Sequence, residues 1–426
     1  MILDNIQQLN QINEYDTWVI NPIYLDNRYH AVENRISCLY IVNTIHWDDF
    51  LIPIEHTEKH GDIQLENVIN YLNENEIISI VHDKKSALNH LLGINNLYDL
   101  QLLYYLNNDE WHFDELFNDY YHRWDKFSKI NTMIPLSIIY DRFNEFYGKK
   151  EKEFDKLTGY KEITTKESYK NYDEVIKTFY EVEKNGICKD NHIKYTQYYI
   201  YTSTGRPSNR FGGVNYAALN KSDDTRKHYT SRFENGALYL YDYQAFHPTI
   251  LSNYLKIGRP EGISVHEWLG RKYFEVNELT DEQYKDSKKK TFFYLYGDDI
   301  LHEDVEDIEF FQKVAEFKRT LERKDVIETP IFKRMMNVEN MSLSKKFNYF
   351  LQCFESEINF VKMKQLNKYL RKKESKLVLY TYDSFLIDYN ENDGNIVNDI
   401  QKLLERGNFS VTIEKGNNYK DMQKIV

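Results

Sequence analysis

The stretch KLVLYTYDSFLIDY, residues 376–389, leaves the backbone few choices. Two runs rich in branched and aromatic residues meet at Tyr382-Asp383-Ser384, which predicts a tight hairpin with an aspartate at its tip. A second stretch, ALYLYDYQAFHPTILSNYL at 237–255, ends a comparable apolar run at Asp242. Residues through Tyr241 read as a buried strand, and a helix is expected from about Pro248, since proline suits a first helical turn. Either aspartate alone is an ordinary turn residue. Brought together, two such carboxylates would hold Mg²⁺, which prefers a few carboxylates plus water and phosphate oxygens.

A chain of 426 residues exceeds one small domain, so two or three compact units are natural. Cys38, Cys188 and Cys353 are far apart and lack metal-ligand spacing. That argues against a zinc site or disulfide framework and points to a reducing compartment. No apolar run approaches the ~18 residues of a membrane span, and MILDNIQQLNQINEYD lacks the basic start and apolar core of a signal. A cytoplasmic protein with no membrane partner is expected. With 55 basic against 67 acidic residues the net charge is −12, which speaks against a protein that coats nucleic acid but allows a local basic cleft.

Three strands are expected within residues 17–54 (TWVINPIYL, RISCLYIV, FLIPIEH). A helix (ENVINYLNE), a strand (IISIVH) and two further helices (KSALNHLLG, LYDLQLLYYL) follow, as in one α/β unit. Residues 130–186 are charged and helical, as in PLSIIYDRFNEFYGKK and YDEVIKTFYEVEKN. Beyond them strands and helices mix without repeats or low-complexity blocks. DEQYKDSKKKTFFYLYG reads as a helix ended by Gly297, with Lys288, Phe292 and Tyr296 along one face. A cation and two aromatics on one stripe can grip a triphosphate and stack on a base pair. A solvated lysine run leading into a buried aromatic helix is the competing reading. Asp298 and Asp299 complete a Tyr-Gly-Asp-Asp like the metal-binding turn of an RNA-copying polymerase. They follow Asp242 too closely for that architecture, and they read as loop residues.

Taken in order, these pieces resemble the family A DNA polymerases, the group of the bacterial repair polymerase and many phage replicases. Asp242 in YDYQAFHPTI matches the strand-end aspartate of motif A, and Lys288, Phe292, Tyr296 and Gly297 match motif B. Tyr382-Asp383-Ser384 stands at motif C, where the family has His-Asp-Glu and where related single-subunit RNA polymerases also carry serine. STGRPSN (203–209) resembles the Thr-Gly-Arg element, SVHEW (264–268) the Asp-Ile-His element, and FNYFLQCF (347–354) carries Asn-x-x-x-Gln as Asn348 and Gln352. FSVTIEKGNNYKDM is similar to the closing strand and helix. The family's fingers arginine falls at Tyr284, with Lys285 beside it as a substitute.

The resemblance implies an α+β multidomain fold, a right-hand polymerase of palm, fingers and thumb preceded by an RNase H-like α/β exonuclease-type domain. The expected bounds are 1–128 exonuclease-like, 129–198 thumb-like, 199–249 with 350–426 palm, and 250–349 fingers. It implies a DNA-templated DNA polymerase that adds deoxynucleotides to a primer 3′ end with two Mg²⁺ held by Asp242 and Asp383, and with Lys288 as a third catalytic group. His266, Lys288, Phe292, Tyr296 and the sugar gate His247 would bind nucleotide, while Arg206, Asn348, Gln352 and Tyr382 would bind primer-template. Partners would be primer-template DNA, deoxynucleoside triphosphates and replication accessory proteins, in the cytoplasm of a cell or of a phage's host. In the first domain Asn21 and Ile23 stand where Asp-x-Glu is expected, and Ser86 where a second metal-binding aspartate is expected, so proofreading should be lost. Asp26 and Asp83 are the nearest acids. A single-subunit RNA polymerase, a primer-synthesising enzyme and a non-catalytic polymerase-shaped subunit that binds nucleic acid are the alternatives.

Overall fold

Branched and aromatic residues at alternate positions place five strands in a first sheet and five in a second. The computed structural model describes residues 1–13, 17–26, 28–59, 61–107, 131–154, 160–260, 262–297 and 299–425. The chain divides into two compact units, Met1–Tyr180 and Glu181–Val426. The division falls within the stretch expected to be thumb-like.

In the first unit the three expected strands form as β1 (Thr17–Tyr24), β2 (Ile36–Asn43) and β3 (Asp49–Pro53), paired antiparallel. After helix α1 (Leu65–Glu74), β4 (Ile78–Val81) adds parallel to β1, and after α2 (Lys84–Leu91), β5 (Leu97–Asp99) adds parallel to β4. The sheet order is β3-β2-β1-β4-β5. The expectation of one helix over LYDLQLLYYL is corrected here: its first three residues join the sheet, and the helix runs from Leu100 to Asn107. The segment is apolar throughout, and strand pairing decides what periodicity leaves open. The helix Leu136–Phe154 packs an aromatic stripe on β2, with Tyr40 stacked on Phe143 and Tyr147.

In the second unit β6 (Gly236–Tyr243) is the central strand of an antiparallel sheet. It lies between β8 (Ser384–Asn390) and β9 (Val411–Gly416), with β7 (Lys376–Thr381) and β10 (Gln423–Lys424) at the edges. Alternation divides β6 between two faces. The Tyr241 and Tyr243 hydroxyls donate to the carbonyls of Val397 and Leu404, both at 3.2 Å, on the helix Ile396–Glu405. Leu238 and Leu240 enter a core with Ile187, Tyr216, Leu219, Tyr229, Leu386 and Tyr419. Asp242 shares their face, at the strand's end.

Two boundaries differ from expectation. The strand runs two residues past Tyr241, and the next helix starts at Phe246, before Pro248. The cause is Ala245, whose left-handed backbone (φ 49°) turns the chain sharply and leaves Pro248 in the first turn, where no amide donor is needed.

The helices Val265–Tyr273 and Asp281–Tyr296 begin at side-chain caps, Ser264 and Thr280, the latter reciprocated by Gln283. They meet closely because Gly270 has no side chain: a Cβ there would lie 2.8 Å from the Ser287 Cβ. Ser287 Oγ also donates to the His266 carbonyl at 3.1 Å. No helix among the described residues is long and apolar enough to cross a membrane. Gly270→Val should force these helices apart at a cost of about 1–3 kcal/mol. Urea denaturation would show this as a lower midpoint with an unchanged slope.

Candidate active site

Strand register alone brings the two aspartates together. Asp242 on β6 lies opposite Ser384 on β8 and Thr412 on β9, so Asp383, one residue before Ser384, sits beside it. The Tyr243 amide donates to the Asp383 carbonyl at 3.1 Å, which locks the hairpin tip to the end of β6. The tip is a two-residue turn, Tyr382-Asp383, with Tyr382 left-handed at φ 52°. Asn359 Nδ2, from the helix Leu343–Leu370, donates to the Tyr382 carbonyl at 2.7 Å and holds the turn in place.

Partial burial first, and then the charge of Asp383, push the Asp242 carboxyl up from 3.8 to about 7, while Lys221 and Lys288 pull against them. Asp383 stays solvent-accessible at the turn tip. The protein around it and then the negative charge of Glu355 push its carboxyl up as well. Among the described residues no group of three or more His, Cys, Asp or Glu gathers as metal ligands. The pair is accompanied by a hydroxyl, Ser384 Oγ, 2.7 Å from Thr381 Oγ.

On the helix Asp281–Tyr296 the expected stripe forms. Phe292 and Tyr296 stack with ring centres 6.0 Å apart and planes 12° from parallel. The His266 ring lies 5.4 Å from Phe292, and burial, reinforced by the Lys288 charge, lowers it to about 4, so it is a neutral imidazole near pH 7. Lys288 Nζ rests 4.7 Å from the Tyr284 ring centre. Gly297 ends the helix, as expected. It is extended (φ −60°, ψ 163°), and a Cβ there would lie 2.8 Å from the Phe293 carbonyl oxygen. Asp298 lies outside the described residues; Asp299 is exposed, and its carbonyl accepts from Lys318 Nζ at 3.4 Å.

The residue missed from the sequence is Glu355. On the helix Leu343–Leu370, Gln352 Nε2 donates to Asn348 Oδ1 at 2.9 Å, and the polar stripe they begin continues to Glu355 and Asn359. Positions 348, 352, 355 and 359 share one face, a spacing that could have flagged Glu355. Its side chain is 2% exposed. It pairs through Oε2 with both Arg206 Nη2 and His247 Nε2, and His247 Nδ1 meets the Tyr296 hydroxyl. The Arg206 guanidinium also lies 5.6 Å from the Tyr382 ring centre. The structure thus gathers Arg206, His247, Tyr296 and Tyr382 around Glu355, next to the aspartates.

In the first unit the acids near the expected exonuclease positions are engaged locally. Asn21 is buried and accepts the Tyr147 hydroxyl at 2.7 Å, and Ile23 is wholly buried. Asp26 receives Arg28 Nε at 2.8 and 3.0 Å. Asp83 caps α2, accepting from the Ser86 amide at 3.1 Å and the Ser86 hydroxyl at 2.6 Å.

No protein-family model matches this chain, and no curated protein matches it. Its fold is nevertheless shared with a solved DNA polymerase domain. That structure is the POL domain of Pol1 from M. smegmatis, in complex with DNA primer-template and dNTP. It superposes with a TM-score of 0.71 at 13% identity over 99% of each chain, so the likeness spans both units.

The upward shift of Asp242 has a definite sign for stability in metal-free solution. Between 3.8 and about 7 the unfolded chain gives up a proton that the folded chain keeps, so stability falls as the pH rises through that window. Asp242→Asn should remove this slope. In chelator-treated buffer the variant and wild type should be similar at pH ~4, with the variant more stable at pH ~7 by on the order of 2 kcal/mol, part of the shift being screened by solvent. Urea titrations at stepped pH would check it.

Proposed function

We propose that the chain is a DNA-templated DNA polymerase, a nucleotidyltransferase that extends a primer 3′ end with deoxynucleotides and lacks proofreading. The observation that carries this reading is Asp242 beside Asp383 at adjoining strand ends, in a chain with a polymerase-domain fold. The solved domain that shares this fold is in complex with DNA primer-template and dNTP, which supports the same partners here. The central sheet draws strands from 236–243 and 376–424, in keeping with a palm built from two segments, and the helices between suit fingers. The first unit's antiparallel-then-parallel sheet supports an RNase H-like exonuclease ancestry. The local engagement of Asp26 and Asp83 supports loss of its chemistry.

Two neighbouring carboxylates, both with raised proton affinity and one of them raised in part by the charge of the other, are a donor set suited to divalent cations. Asp242 and Asp383 would hold two Mg²⁺, which when bound activate the primer 3′-OH and neutralise the triphosphate and pyrophosphate. Lys288 brings positive charge toward Asp242 and would donate to the leaving phosphates, with neutral His266 as a hydrogen-bonding neighbour. Phe292, 43% exposed, and Tyr296 present a stacked surface to the nascent pair, so selection follows pair shape. Arg206, Asn348, Gln352 and Tyr382 would face the primer-template and read acceptors common to all base pairs. Ser384 at the third motif C position favours one second reading, a single-subunit RNA polymerase.

Primer extension separates these readings. Deoxynucleotide incorporation that requires Mg²⁺, with no shortening of a labelled primer, is expected. Asp383→Asn should lower incorporation at least ~100-fold while keeping duplex binding, and Asp299→Ala should stay within about twofold. Ribonucleotide preference would move the assignment to the second reading, and a folded protein that incorporates neither set is not an enzyme of this class.

A further inference from the structure

The geometry points to Glu355 as the positioning residue that sets sugar selection, acting through His247; this rests on the polymerase reading above. His247 is the fifth residue after Asp242, in the first turn of the helix Phe246–Tyr254, and its side chain is 11% exposed. Which imidazole nitrogen carries the proton is set by the partner of each. Burial works against the charge of Glu355, yet hydrogen bonds from His247 and the charges of His247 and Arg206 hold its carboxyl below the usual range. An ionised carboxylate can only accept, so His247 Nε2–H donates to it. Nδ1 is engaged by the Tyr296 hydroxyl. Both ring nitrogens are thereby committed, one to the end of the helix Asp281–Tyr296 and the other to the middle of the helix Leu343–Leu370.

The ion pair between Arg206 and Glu355 does not account for this arrangement by itself. Arginine and carboxylate usually meet at two points. Among the described residues Arg206 Nε and Glu355 Oε1 find no hydrogen-bond partner, and Glu355 Oε2 is shared between Arg206 and His247. Arg206 Nη2 and His247 Nε2 lie 3.2 Å apart because both donate to it. Glu355 is placed to hold the imidazole, with Arg206 sustaining its charge.

A ring pinned at both nitrogens has two consequences for a nucleotide sugar next to it. It cannot swing aside to admit a 2′-oxygen, and it offers that hydroxyl neither a donor nor an acceptor. A ribose 2′-OH placed there would be desolvated without a partner, a penalty corresponding to roughly tenfold or more in efficiency. Releasing the ring removes both barriers.

Single-nucleotide primer extension with a dNTP and its matching rNTP tests this on the wild type, Glu355→Leu, Glu355→Gln and Tyr296→Phe. Glu355→Leu should raise the rNTP-to-dNTP ratio of kcat/KM tenfold or more, chiefly through the KM for rNTP. Glu355→Gln keeps an acceptor for Nε2–H and should restore most of the discrimination. Tyr296→Phe removes only the Nδ1 partner and should also raise the ratio; it carries the test if Glu355→Leu does not fold by circular dichroism. An unchanged ratio in both Glu355→Leu and Tyr296→Phe overturns the inference, as does Glu355→Gln behaving like Glu355→Leu, or a wild type that takes both sugars equally. Those results would leave the polymerase reading standing, whereas a wild type that incorporates neither nucleotide overturns both.

Discussion

Three carboxylates crowd one end of the second unit's sheet, and the surrounding side chains are arranged by how each negative charge is met. Removing a carboxylate from water is costly unless donors or cations replace the water. Glu355 is compensated within the protein, by His247 and Arg206, and is held below its usual range despite burial. At Asp242 the charges of Lys221 and Lys288, and at Asp383 those of Arg206 and His247, do not offset burial and neighbouring negative charge, and both are pushed up. The contrast sets one carboxylate that holds other side chains in place apart from the two that, on the proposed function, would hold a cation.

The β-rich parts of this site were legible in the sequence, because period-two alternation and a two-residue polar turn leave few alternatives. KLVLYTYDSFLIDY folds as the hairpin its residues predict, and the run ending at Asp242 is the central strand. The helix Asp281–Tyr296 was also legible, bounded by its cap at Thr280 and marked by its aromatic stripe. The helix start at Phe246 was not, because it depends on Ala245 adopting a conformation that alanine rarely takes. Nor was β5, whose apolar residues suit helix and strand equally until β4 lies beside them.

Glu355 was illegible for a different reason. A glutamate within a helix is ordinarily solvated, and nothing local distinguishes Glu355 from its neighbour Glu357. Its role is defined by His247, 108 positions away. Long-range partners of this kind convert a helix-compatible residue into a site residue without altering its local pattern. The signal that was available was indirect: the face bearing Asn348 and Gln352 stays polar as it enters the core.

Backbone strain adds a further constraint at the same place. Tyr382 immediately precedes Asp383, Ala245 lies three residues after Asp242, and both adopt left-handed conformations that cost a side-chain-bearing residue about 1–3 kcal/mol. Such conformations persist only where neighbours over-determine them. Asn359 grips the Tyr382 carbonyl, and the Ala245 carbonyl accepts the Thr249 amide at 2.9 Å to open the next helix. The two bends do different work: the one at Tyr382 lets a two-residue turn set Asp383 against the end of β6, and the one at Ala245 brings His247 into a helix directly after the strand. Asn359 and Glu355 lie one helical turn apart on the helix Leu343–Leu370, so a single rigid element holds both the turn that aims Asp383 and the ring of His247. Displacing that helix would disturb the aspartate pair and the histidine together, which couples the geometry of the carboxylates to that of the neighbouring imidazole.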